Sequence, residues 1–228
     1  MPETNRASAE AARYEILRRL APSLKHDMVV NLQTASMMAE VMAARLEKGI
    51  ASQAEMQKSA SSINRVAREA VAACLKVAQW IAPTEDESVA LDEGIEECVA
   101  LLRSHLGFRG FTLVHQVEPA QFDVSRVALL NLVCASILAL ADAGTECCDI
   151  TVSAVASRAS ARVTVHCKPN GNTGEDIDFG TDAQRKLDWG DVEALASAES
   201  VSLSRTAERI DLDFPRMVAA SPLRIAAN

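Results

Sequence analysis

Aromatic side chains are scarce, with five Phe, two Trp and one Tyr in 228 residues. A core built almost without rings is assembled from Ala, Leu, Val and Met, the composition of packed helices. Glycine and proline are also thin, at nine and seven, too few for a turn-rich all-β fold or a low-complexity linker. A basic surplus is missing: 23 Lys and Arg against 31 Asp and Glu leave a formal charge of −8, and no basic cluster marks a face for nucleic acid. The opening MPETNRASAE has neither the basic nor the apolar block of a signal peptide. The longest apolar run, residues 127–143, carries Asn131, Ser136 and Asp142. It is shorter than the roughly 20 residues of a membrane span, so a buried helix and no membrane partner are expected. The six cysteines, Cys74, Cys98, Cys134, Cys147, Cys148 and Cys167, show no CxxC spacing. Zinc is therefore not expected, and reduced thiols in a cytoplasm are the plain reading.

The chain is long enough to bury a core without a staple. From residue 10 to 81 its pattern is helical, with Leu17, Leu20, Leu24, Met28, Leu32, Met38, Met42 and Leu46 before a break at Gly49. After it Met56, Ile63, Val66, Ala70, Cys74, Val77 and Ile81 recur at helical steps, which predicts a hairpin of two long helices. Pro22 is expected to start the first helix or to bend it. Two helices with apolar residues on more than one flank bury them most simply against a second copy, giving a homodimeric four-helix bundle. The plainer arrangement is that the rest of the same chain covers them.

Pro83 and the acidic residues Glu85, Asp86 and Glu87 mark a boundary, dividing a hairpin domain, 1–82, from a second domain, 88–228. The second domain is expected to alternate: strand 88–91, helix 92–105, strand 111–117, helix 123–142, strands 149–155 and 162–167. A polar loop through Gly180, a helix over 181–198 and strands 201–204 and 209–214 follow. The expected fold is therefore α+β, a helical hairpin followed by an α/β sandwich with helices on one face of a sheet.

The segment richest in chemistry is LKHDMVVNLQTASMM, residues 24–38. A neutral imidazole is a competent nucleophile toward phosphorus, and a neighbouring carboxylate can orient it or take its proton. His26 is the candidate nucleophile, Asp27 the carboxylate, and Asn31 a donor to a phosphoryl oxygen. Val29, Val30, Gln33 and Met37 lie on the side of the helix that carries His26. They form a candidate partner surface. The bland alternative is a solvated histidine beside an acid.

The segment H-D-x-x-x-N-L-Q, followed by a second long helix, an acidic linker and a mixed domain, resembles the dimerisation and phosphotransfer region plus catalytic domain of two-component histidine kinases. It departs from their usual pattern at Val30, where Asn or Thr is common, and lacks the proline that often follows. The resemblance implies a nucleotide site in the second domain. The family's L-x-N-L-x-x-N-A helix matches residues 129–136 in its apolar frame, but Ala135 stands at the magnesium-ligand position and offers no oxygen. Asn131 would serve only after a shift of register. The adenine-binding Asp corresponds to Cys167 or Lys168, and lysine is a donor only. Asp176 and Asp178 follow the glycines instead of preceding them, and no second glycine-rich phosphate loop comes after Gly174.

A kinase-like frame without its nucleotide ligands resembles the bacterial histidine phosphotransferases, dimers that relay a phosphoryl group between response-regulator receiver domains. That resemblance implies no ATP, metal or other cofactor of the chain's own, and receivers as partners. An ATP-dependent kinase with a drifted site and a non-catalytic pseudokinase module are the alternatives. His105, His115 and His166 are read as structural or surface histidines, Cys147 and Cys148 as small apolar residues at a strand start, Trp80 and Trp189 as anchors, and the acidic run as a solvated linker.

Overall fold

The computed structural model of the chain describes residues 3–50, 52–84, 87–119, 121–143, 147–171 and 185–217. Two helices come first, α1 (Glu3–Glu47) and α2 (Gln53–Ile81). Pro22 lies inside α1, neither starting nor ending it, and the helix begins seven residues before the expected start. Gly49, at φ 62°, ends α1 in the left-handed conformation that glycine adopts without a Cβ penalty, and Ile50 N–H reaches back to Arg45 O at 3.2 Å. The next helix opens on a reciprocal cap. Ser52 Oγ accepts from Glu55 N–H at 3.3 Å while the Glu55 carboxylate accepts from Ser52 N–H at 2.9 Å. The Ser52 N–H first, and then the Ser52 hydroxyl, which donates to the same carboxylate at 2.8 Å, hold the Glu55 carboxyl below its ordinary range.

The chain divides into two compact units, one of residues 17–83 and one that joins residues 1–16 to 84–228. In the first unit, the hairpin, Leu24, Met28, Asn31, Ala35, Met38 and Met42 of α1 are buried or half-buried, at steps of four and three. On α2 the same holds for Met56, Ser59, Ile63, Val66, Ala70, Ala73, Val77 and Trp80, at steps of three and four. Each set lies along one face of its own helix and forms that helix's less exposed seam. Leu32 and Leu46 on α1, with Cys74 and Ile81 on α2, belong to the apolar periodicity of the sequence and are exposed.

The second unit is a sandwich. Its elements are β1 (Ser88–Ala90), α3 (Leu91–Phe108), β2 (Thr112–Gln116), β3 (Asp123–Ser125), α4 (Arg126–Ala143), β4 (Cys148–Ala156), β5 (Ser160–Pro169), α5 (Trp189–Ala198), β6 (Ser202–Arg205) and β7 (Arg209–Pro215). The main sheet has the order β2-β4-β5-β7-β6, with β2 parallel to β4 and the other pairs antiparallel. β1 and β3 form a separate antiparallel pair. Ile150, Val152, Val163, Val165, Ile210, Leu212 and Phe214 point to the covered face and are fully buried, whereas Arg162, His166 and Arg209 alternate outward. That is the period of a sheet with one solvated face.

α4 is buried from Ala128 to Ala141. It is long and apolar enough to cross a membrane, but 78% of its window is buried inside the protein, which is the behaviour of a core helix. It packs between α3 and α5. Arg126 at its start donates to Glu97 of α3 at 2.7 Å and lies 3.6 Å from Glu87. Glu87 is thus a partner of the core helix rather than part of a solvated linker. The expected helix over 181–198 is shorter: α5 starts at Trp189, where Asp188 and Asp191 cap each other's backbone at 3.1 and 3.0 Å. Residues 181–184 lie outside the described residues.

Candidate functional site: His26 on the hairpin

His26 is exposed on α1, one turn beyond Pro22. A helix advances roughly 100° per residue, so Val30, Gln33 and Met37 project within about 40° of His26, and Val29 within about 60°. All four are exposed, Val30 at 41% and Met37 at 61%. The structure therefore brings these five together as a histidine in an apolar collar open to solvent.

Asp27 and Asn31 are placed differently. Asp27 is exposed roughly 100° round the helix from His26, and neighbours in sequence do not face each other there. Among the described residues neither His26 nor Asp27 makes a side-chain hydrogen bond or ion pair. Asn31 lies roughly 140° from His26 and is half-buried in the seam.

A second exposed apolar set lies on another face. Leu32, Ala39 and Leu46 are exposed on α1, and Val71, Cys74 and Ala78 on α2. Relative to its own seam each set is turned in the same rotational sense, by roughly 40–120°. In antiparallel helices an equal sense of rotation places both sets on one side of the hairpin. Leu32 is 54% exposed and Val71 58%. His26 faces away from that side, so one hairpin carries two separate apolar surfaces. Periodicity alone did not separate them.

In the second unit the positions that the kinase resemblance assigns to nucleotide differ in exposure. Ala135 is fully buried on α4, and Asn131 is 6% exposed. Cys167, near the end of β5, is buried. Its thiol is pushed up to about 12, first by burial and then by a hydrogen bond with Cys148 across the sheet, so it presents no negative charge to an amino group. Lys168 is exposed. Asp176, Asp178 and Gly174 lie outside the described residues. No group of three or more His, Cys, Asp or Glu suited to a metal occurs among the described residues.

The lesser candidates take ordinary places. His166 is exposed, and His105 and His115 are half-buried, His115 with a buried Nδ1 that lacks a partner. Trp189 lies under the Arg205 guanidinium at 5.0 Å. Trp80 is half-buried with an unpaired Nε1. Cys147 donates its thiol hydrogen to Arg109 O at 3.2 Å.

No family model and no curated protein matches the chain. Among solved structures it is similar to the Acinetobacter baumannii histidine kinase AdeS, with 10% identity over 83% of this chain and 98% of that one and a TM-score of 0.41. It is also similar to a bacterial phosphotransferase, with 14% identity, 88% and 96% coverage and a TM-score of 0.38. A third is the histidine kinase ThkA in complex with response regulator protein TrrA, with 14% identity, 95% and 68% coverage and a TM-score of 0.43.

Proposed function

We propose that the chain is a phosphorelay histidine phosphotransferase, working as a homodimer, in which His26 carries a phosphoryl group between receiver domains. The observation that carries the reading is the exposed, unpartnered imidazole of His26 inside the collar of Val29, Val30, Gln33 and Met37, combined with the buried Ala135 and the neutral Cys167 where a kinase would hold nucleotide. A ring nitrogen of His26 attacks the phosphorus of an aspartyl phosphate, the bond from phosphorus to the acyl oxygen breaks, and the aspartate leaves as a carboxylate. The proton on the other ring nitrogen departs to water. Phosphoryl transfer passes through a loose transition state, so alignment by the docked receiver supplies most of the acceleration.

Docking is the role of the collar. An apolar receiver surface seated on Val30 and Met37 excludes water and fixes the line of attack. The other apolar side, with Leu32, Ala39, Val71 and Ala78, is the seat of the second protomer, which completes a four-helix bundle. Asn31, half-buried and roughly 140° from His26, points away from a phosphoryl group carried there.

The test uses receiver domains charged on aspartate with labelled acetyl phosphate. Acid-labile label should appear on the chain, vanish in His26→Ala, and discharge to a second, uncharged receiver. Magnesium and γ-labelled ATP alone should leave no label. Label from ATP that depends on His26 would make the chain a kinase and overturn this reading.

A further inference from the structure

Charge is divided unevenly along the chain. The unit of residues 17–83 holds nine Lys and Arg against five Asp and Glu, a charge of +4, whereas the remainder holds 14 against 26, a charge of −12. Four of the nine cations, Lys58, Arg65, Arg68 and Lys76, lie on α2, and all four are exposed. Lys58, Arg65 and Lys76 project about 100–120° from the seam of α2, in the sense opposite to Val71 and Ala78. On α1, Val30 and Val41 are turned about 100–120° from their own seam in that same sense. Equal rotation in antiparallel helices puts the two rows on one side of the hairpin, away from the side that carries Leu32 and Val71.

This side is apolar along one helix and cationic along the other. Val30, Met37 and Val41 are 41%, 61% and 49% exposed, and from first to last they run about 16 Å toward the closed end of the hairpin. α1 ends at Glu47 and α2 starts at Gln53, so Arg65 and Lys58 lie roughly level with Met37 and Val41, and Lys76 within about one turn of His26. Few carboxylates are turned the same way. Glu69 is engaged by Arg65 at 2.6 Å, Glu55 by the cap of Ser52, and Asp27 is exposed one residue from His26. Among the described residues Lys58 and Lys76 make no ion pair.

An apolar row bordered by unpaired cations selects its occupant. A phosphate backbone offers nothing apolar to Met37 and Val41, and the −12 of the remaining chain repels any polyanion that extends past the strip. A protein face with an apolar ridge and a carboxylate border fits both halves. We propose that this side of the hairpin docks a receiver domain of that kind, with its ridge on Val30, Met37 and Val41 and its carboxylates against Lys58, Arg65 and Lys76. The proposal rests on the reading of His26 as the phosphoryl carrier, because the group brought to it is an aspartyl phosphate, itself an anion, and the cationic row starts at the level of His26. Charges on the border of an interface speed encounter, fix register and reject partners of the wrong sign more than they add affinity. Lys58 and Lys76 thus choose among receivers, while the collar aligns the one that docks.

The experiment titrates uncharged receiver domains, the same ones used in the transfer test, against the full-length protein by calorimetry at low and at high sodium chloride, and records transfer from the charged receivers in parallel. Lys58→Glu/Lys76→Glu should weaken binding by about tenfold or more at low salt, and high salt should bring the parent close to that variant. Arg103→Glu/Arg158→Glu reverses two exposed cations of the other unit, changes the net charge equally and should bind within about twofold of the parent. Val41→Asp should weaken binding in either salt. Equal losses in the two double variants, or no loss in Lys58→Glu/Lys76→Glu, would overturn the strip. So would a Lys58→Glu/Lys76→Glu protein that turns monomeric in light scattering, since this side would then be the seat of the second copy. Binding that depends on the two lysines without label on His26 removes the relay and keeps the strip. Label on His26 with binding indifferent to both lysines removes the strip and keeps the relay, and a parent that binds no receiver removes both.

Discussion

His26 and Leu32 leave α1 on faces roughly 120° apart, although less than two turns separate them. Both are exposed, and the rotation between them gives one hairpin two apolar surfaces, which the proposed function assigns to different partners. A charge placed on one should leave the other intact. Leu32→Glu should convert the dimer to monomer in light scattering, since a carboxylate buried without a partner in a bundle seam is strongly unfavourable. Val30→Asp should remain dimeric and lose transfer from charged receivers by at least tenfold. A Val30→Asp protein that transfers normally refutes docking on the collar, and a Leu32→Glu dimer refutes the assignment of the other side.

Arg126 is the electrostatic pin of the sheet unit. Its side chain is 13% exposed and that of Glu97 11%, at 2.7 Å, and Glu97 Oε1 already lacks a partner. Removing the arginine leaves a nearly buried carboxylate uncompensated, so Arg126→Ala should lower unfolding stability by about 3 kcal/mol, read as a fall in the urea midpoint. The Arg162–Asp213 pair on the solvated sheet face is 57% and 34% exposed. Arg162→Ala should leave that midpoint within error. Equal effects of the two would mean that the Arg126 site is far wetter than its geometry indicates.

Gly94 allows α3 to approach α4. A Cβ there would run into Leu129 Cδ2 and stand 3.1 Å from Val89 Cγ1, and Leu129 is fully buried. Alanine gains up to about 1 kcal/mol of helix propensity, but overpacking costs about 1–3 kcal/mol. The overpacking wins because Leu129 is fully buried and Val89 Cγ1 already stands 3.1 Å from the added carbon. Gly94→Ala should therefore unfold at lower urea than the parent, and a stabilised Gly94→Ala protein would show that the α3–α4 contact is loose.

The alternation in β5 and β7 made those strands legible, because one buried face forces a period of two. Helices α1 to α4 were legible from their apolar residues, and the all-buried character of α4 from its composition. The seam of the hairpin was not: α1 carries apolar residues on two flanks, and periodicity gives no reason to bury Asn31 and Ala35 while exposing Leu32 and Leu46. The start of α1 lies before the expected helix, and Ala9 and Ala12, buried there together with Ile16, give almost no hydrophobic signal. β3 is three residues paired with three others, too short for a pattern. The start of α5 did have a signal, the D-x-x-D of Asp188 and Asp191, which is a capping box in form. At the candidate site, the collar followed from helical spacing. The separation of Asp27 and Asn31 from His26 follows from the same arithmetic.

Thiol chemistry offers a test that needs no partner. Cys74 is exposed, and the other five cysteines are buried. Burial, followed by the hydrogen bond with Cys134, pushes the Cys98 thiol well up, and burial and Cys148 push Cys167 to about 12. Reaction with a disulfide reagent requires thiolate and access, so at pH 8 the native protein should release one fast equivalent and the urea-unfolded protein six. The same shifts set a sign for pH dependence. A thiol whose folded value is raised above its unfolded value of roughly 8.5 gives stability that is fully present below that value and is lost as pH rises through the folded value. The urea midpoint should therefore begin to fall above about pH 8.5 and keep falling toward pH 12. Replacing Cys167 with Ala should flatten part of that decline without restoring stability at pH 7. A decline of unchanged steepness in Cys167→Ala would mean that groups other than this thiol govern the alkaline limb.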